Sequence, residues 1–91
     1  MSHLLSDKTG LLARVRRIAG QLTAIERAIA EDADCSKILH QVAGARGAIN
    51  GLVDELIEAH AREHVAHPDL TDEARAAGVE ELIAAIRRYS K

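Results

Sequence analysis

The chain contains no tryptophan and no phenylalanine, and Tyr89 is its one aromatic residue of the Phe/Trp/Tyr class. Its core must therefore be built from leucine, isoleucine, valine and alanine, which suits helix-on-helix packing. Nothing in the sequence reads as β-rich. Cysteine is equally scarce: Cys35 stands alone. That excludes an internal disulfide and fits a reducing compartment, where a lone thiol acts as a ligand or a reactive group. No segment approaches the roughly 18 apolar residues of a membrane span, and the N-terminus lacks the layout of a secretory signal. These absences predict a soluble cytoplasmic protein with no membrane partner and no evident protein partner other than its own copies. No catalytic constellation can be read, so no enzymatic role is expected.

What is present fits one small domain over residues 1–91. A chain this short buries a thin core and often depends on self-association. The formal net charge is −2, but its distribution matters more. Residues 1–50 carry seven basic and five acidic groups, and residues 51–91 carry five and nine. In the first helical stretch Lys8, Arg14, Arg16, Arg17 and Arg27 outnumber Asp7, Glu26 and Glu31. A binding footprint depends on such local charge more than on the total.

Apolar residues recur at Leu11, Val15, Ile18, Leu22, Ile25 and Ile29, a 4-3-4-3-4 seam of coiled-coil type. With Ser6 as N-cap and Asp7 in the first turn, the first helix is expected over about residues 6–31. The polar link Glu31-Asp32-Ala33-Asp34 favours an antiparallel hairpin, with Asp34 capping the next helix. A second seam runs through Ile38, Val42, Ala45, Ile49, Leu52 and Leu56. The second helix is expected from about Ser36 to Ala66, stopped near His67-Pro68. Gly44, Gly47 and Gly51 are costly in a helix and are expected to mark close approach of another helix. Thr71 should cap a third helix, with Asp72 and Glu73 in its first turn and Arg87-Arg88 at its basic end. The fold class is all-α, three helices, long-long-short.

On the helical period Cys35, His60 and His64 fall within roughly 40° of one another, on a face shared with Leu39, Val42, Ile49, Val53 and Ile57. Cys35 and His60 are 25 residues apart, about 37 Å along an unbroken helix. An antiparallel second copy can bring one chain's Cys35 beside the other's histidines, which suggests two symmetric metal sites per dimer. The His60/His64 spacing of i,i+4 aims two imidazoles at one point, and His67 follows on the same side. A cysteine beginning a helix becomes a thiolate more readily. With Met1 removed, the terminal amine and His3 could add ligands. His40, about 140° from this face, is expected to be structural or superficial. One sulfur among several nitrogens suits Ni(II), Co(II) or Zn(II), whereas Cu(I) prefers more sulfur. Ligands from the N-terminus raise the coordination number and favour Ni(II) or Co(II), with Zn(II) and Cu(I) as alternatives.

The run RVRRIAGQ from Arg14 to Gln21, the lone Cys35, ARGAINGL from Ala45 to Leu52 and HAREH from His60 to His64 resemble the CsoR/RcnR/FrmR family of bacterial repressors over essentially the whole chain. The resemblance implies an antiparallel four-helix dimer core, a homotetramer built as a dimer of dimers, and promoter DNA as partner, released when an effector binds. It implies a DNA face with Arg14, Arg17 and Lys37, to which Arg16 and Lys8 are possible additions. Copper sensors of the family carry a second cysteine where this chain has His64, and persulfide sensors need two cysteines. Formaldehyde sensors share Cys35 but typically have proline in place of Ser2 and glutamate in place of His64. Nickel/cobalt sensors of the RcnR type show the residues found here as His3, Cys35, His60 and His64. Arg16 and Arg17 look more like the formaldehyde branch.

The expected function is that of a repressor released from its operator by Ni(II) or Co(II). One alternative is a formaldehyde-responsive repressor of the FrmR type that uses Cys35 and the N-terminal amine. A further one is a helical metal-buffering protein that binds no DNA.

Overall fold

The computed structural model describes residues 7–89. They form three helices, α1 (Lys8–Ala30), α2 (Cys35–His64) and α3 (Asp72–Tyr89), and no strand occurs among them. The all-α, long-long-short expectation holds. Ser6, the expected first cap, lies outside the described residues, and α1 begins at Lys8. No helix among the described residues is long and apolar enough to cross a membrane. The chain forms two compact units that meet within α2. One is Thr9–Leu52, and the other is built from the segment that starts at Val53.

The first unit is a helical hairpin. Leu11, Ile18 and Ala28 of α1 and Ala45 of α2 are its buried apolar residues. Ile25, Ile38 and Leu52 are half-buried. Each seam read from the sequence is thus divided. Leu11 and Ile18 are buried and Ile25 is half-buried, whereas Val15, Leu22 and Ile29, each four residues after one of these, are 44, 52 and 57% exposed. On α2, Ile38, Ala45 and Leu52 are covered, while Val42 and Ile49 are exposed. Alternate seam positions differ by roughly 50° in azimuth. A hairpin partner covers one set and leaves the other as an apolar flank.

The link between α1 and α2 closes on main-chain bonds. The Ala33 N–H donates to the Ala28 carbonyl at 2.9 Å, and the Asp32 N–H to the Ile29 carbonyl at 3.1 Å. Asp32 occupies the left-handed region, φ 56°. This is a Schellman termination with aspartate where glycine is usual. The Asp34 carbonyl accepts the first bond of α2, from the Ile38 N–H at 3.1 Å, so Asp34 holds the expected cap position.

In the second unit α2 ends at His64, two residues before the expected Ala66. The Ala61 carbonyl takes both the Val65 and the Ala66 N–H, at 3.1 and 2.9 Å, and the ladder stops there. Thr71 caps α3 as expected: its Oγ accepts from the Ala74 N–H at 3.0 Å and its carbonyl from the Arg75 N–H at 2.9 Å. Asp72 and Glu73 lie in the first turn of α3, and Arg87 and Arg88 in its last. Val53, Leu56, Ile57 and His60 of α2 line an apolar groove of about 330 Å³ with Ala85 and Tyr89 of α3.

Candidate functional site

Two imidazoles converge at the end of α2. The ring centroids of His60 and His64 are 4.8 Å apart and their planes differ by 37°. Two imidazoles bound to one ion at about 2.1 Å per nitrogen stand with centroids about 5 Å apart. That centroid spacing leaves room for both rings to ligate one late transition metal. The His60 Nε2 lies 3.1 Å from the Gly78 carbonyl and 3.6 Å from the Glu81 carboxylate. A carbonyl only accepts, so in the neutral ring Nε2 carries the hydrogen and Nδ1 keeps the lone pair a metal needs.

The structure places the remaining expected residues as follows. Cys35 is the first residue of α2, exposed and free, and stands in the hairpin unit, whereas His60 and His64 belong to the second unit. His3 lies outside the described residues. Among the described residues no group of three or more histidine, cysteine, aspartate and glutamate side chains is close enough to hold a metal. The histidine pair is what one chain assembles. The Nδ1 of His67 is already engaged as acceptor for the Asp69 N–H at 3.1 Å, which makes it a turn-forming residue. His40 is exposed and lines a groove of about 240 Å³ with Gln21, Ala24, Gln41 and Gly44. The Oε1 atoms of Gln21 and Gln41 are buried there without a hydrogen-bond partner among the described residues.

Of the basic residues, Arg16, Arg17 and Lys37 are exposed. Arg14 is half-buried, its guanidinium lying over Gly51 of α2. Within one chain the α2 glycines seat no other helix's backbone. A β-carbon at Gly47 would meet nothing within 4 Å, and one at Gly44 only the Gln21 Nε2 at 4.0 Å. At Gly51 the neighbour is a side chain rather than a backbone.

Sequence reasoning missed two residues, Gly78 and Arg75. Gly78 is buried, and a β-carbon on it would stand 1.9 Å from the His64 carbonyl oxygen. The Arg75 guanidinium donates to the Val65 carbonyl, to that of His67 at 3.2 Å and to that of Leu70 at 3.4 Å. A glycine inside an otherwise alanine-rich helix was the available signal for the first. Arg75 gave none.

Comparison with known proteins places the chain in a family. A family model described as metal-sensitive transcriptional repressor matches residues 7–88. An uncharacterized protein encoded in the bioA 5′ region of Serratia marcescens is 47% identical over 91 residues, all of both chains. The transcriptional repressor RcnR of Salmonella paratyphi B is 44% identical over 75 residues, 82% of this chain and 81% of that one. A solved structure of a glutamate-to-histidine variant of the formaldehyde-responsive regulator FrmR, from Salmonella enterica serovar Typhimurium, matches with a TM-score of 0.86. Its identity is 41% over 97% of this chain and 99% of that one. By sequence and by three-helix fold, this chain belongs to the CsoR/RcnR/FrmR family of metal-sensitive transcriptional repressors, and its role is regulatory rather than enzymatic.

Proposed function

We propose that this chain is a cytoplasmic repressor that leaves its promoter DNA when it binds Ni(II) or Co(II). The observation that carries the reading is the His60–His64 pair, whose 4.8 Å centroid spacing is compatible with two ligands of one ion. His60 would bind through Nδ1, its Nε2 held by the Gly78 carbonyl, and His64 through the ring beside it. The N-terminal amine and His3 of the tail, with Cys35 of a second copy, complete the set. A bound ion supplies one coordination point common to a helix end, a tail and a thiol. Only a difference in affinity between two shapes of the assembly turns that point into a switch. The exposed apolar flank of the hairpin supports an antiparallel dimer and a dimer of dimers.

DNA is held through phosphates by Arg17 and Lys37, both exposed, with Arg14 one turn before Arg17 on α1. Such contacts make affinity fall steeply with salt, by about 0.9 in logarithmic slope for each phosphate neutralised. Arg17→Ala or Lys37→Ala should lower that slope by about one contact and leave metal affinity unchanged.

The exposed Cys35 and the match to a formaldehyde-responsive regulator favour one second reading. There the thiol adds to the aldehyde carbonyl to give a hydroxymethyl thioether. Condensation with the N-terminal amine then forms an S–CH₂–N bridge and releases water. Titration of the protein–DNA complex with Ni(II), Co(II), Zn(II), Cu(I) and formaldehyde separates the two. Release by nickel or cobalt at the lowest free concentration is the expected result. Release by formaldehyde alone would replace this reading with the second, and absence of any operator binding would leave only metal buffering.

A further inference from the structure

One turn of α3 grips the histidine end of α2 in two ways. Arg75 and Gly78 are three residues apart, hence on one face of α3. Gly78 touches both histidines. Its α-carbon lies so close to the His64 peptide that an added β-carbon would stand 1.9 Å from the carbonyl oxygen, 2.7 Å from the carbonyl carbon and 3.0 Å from Cβ. Its own carbonyl holds the His60 ring at 3.1 Å. One residue thus sets the backbone of one imidazole and the orientation of the other. Arg75 fixes the chain just beyond. Its guanidinium satisfies the carbonyls of Val65, His67 and Leu70 across the turn after α2. A planar fork with five donors can span three acceptors, which a single ammonium does poorly.

The geometry points to Arg75 and Gly78 as positioning residues for an ion that neither of them touches: Gly78 orients the His60 ring and seats the His64 backbone, and Arg75 fixes the chain just beyond. This rests on the metal reading above. Groups that orient metal-bound histidines change metal affinity by roughly 10–100-fold when removed. The proposed DNA contacts lie in the other unit. A positioning role therefore separates metal affinity from DNA affinity, which a general loss of stability would not do.

The test uses the full chain as wild type, Arg75→Ala, Arg75→Lys and Gly78→Ala. Metal affinity comes from chelator competition, ligand geometry from the Co(II) absorption spectrum, and metal-free DNA affinity from anisotropy. The His60 tautomer comes from imidazole ¹⁵N shifts of the metal-free protein. Arg75→Ala should lose roughly 10–100-fold in Ni(II) and Co(II) affinity, alter the Co(II) bands, mix the His60 tautomers and keep metal-free DNA binding. Arg75→Lys should recover part of each loss. If Gly78→Ala does not fold, the Arg75 pair decides alone. Wild-type metal affinity together with an unshifted His60 ring in Arg75→Ala would overturn the proposal. If wild type binds neither metal, the nickel–cobalt reading falls, and the tautomer still judges the seat. A wild-type ring in the Nδ1–H form, or identical shifts in Arg75→Ala, overturns it.

Discussion

Arg14 reaches from α1 across to Gly51 of α2, where a β-carbon would stand 2.8 Å from its Nη1 and 3.7 Å from its Cζ. Glycine at 51 leaves the room this path needs, and a methyl group would force the flexible end of the arginine aside. Gly51→Ala should raise helix stability by up to about 1 kcal/mol, since glycine is costly inside a helix. It should also displace a proposed phosphate contact. Urea denaturation and DNA anisotropy on the same variant should move in opposite directions. Equal DNA affinity at several salt concentrations would remove Arg14 from the DNA face.

His64→Glu separates the two effector readings. The metal reading loses a ligand from the imidazole pair, so nickel and cobalt affinity should drop and metal should no longer release DNA. Metal-free DNA binding should survive. In the formaldehyde reading the change is neutral or sharpens the response. Competition against a chromophoric chelator, run beside anisotropy, gives the answer, and unchanged nickel and cobalt affinity would discard the metal assignment as drawn.

Ile49, 43% exposed on the apolar flank of α2, tests assembly. Ile49→Glu places a charge where a second copy is expected to pack, and desolvating an unpaired charge costs several kcal/mol. Sedimentation should show wild type as a tetramer or at least a dimer, and the variant as smaller or unfolded. A folded wild-type monomer at micromolar concentration would count against the dimer of dimers.

Asp32 holds a backbone conformation that side chains disfavour, at φ 56°. Asp32→Gly should stabilise the hairpin by about 1 kcal/mol, the low end of what a non-glycine residue costs there, less the freedom glycine gains in the unfolded chain. Thermal or urea melts of the two proteins at equal concentration provide the comparison.

Much of the fold was legible because helix periods and caps are local. Thr71 caps α3, Asp34 precedes α2, and the 31–34 link turns the chain where its polar residues said it would. The seams were legible only as seams. Which half faces the hairpin partner depends on azimuth, and residues at 3-4 spacing look alike until a neighbour chooses among them. The histidine pair followed from spacing alone, since i,i+4 fixes proximity on a helix. Gly78 and Arg75 escaped because their partners lie on another element. The His64 carbonyl and the three carbonyls that Arg75 satisfies are main-chain groups, which leave no mark in sequence.

Leu11, Ile18, Ala28 and Ala45 are the buried apolar residues among those described, while Val15, Leu22, Ile29, Val42 and Ile49 face outward. A lone chain with so small an interior has little to hold it against unfolding. If the outward set is covered by other copies, dilution itself acts as a denaturant, and the midpoint of a melt climbs with protein concentration. Copy number in the cell then sets the fraction of folded chains as well as the number of occupied operators.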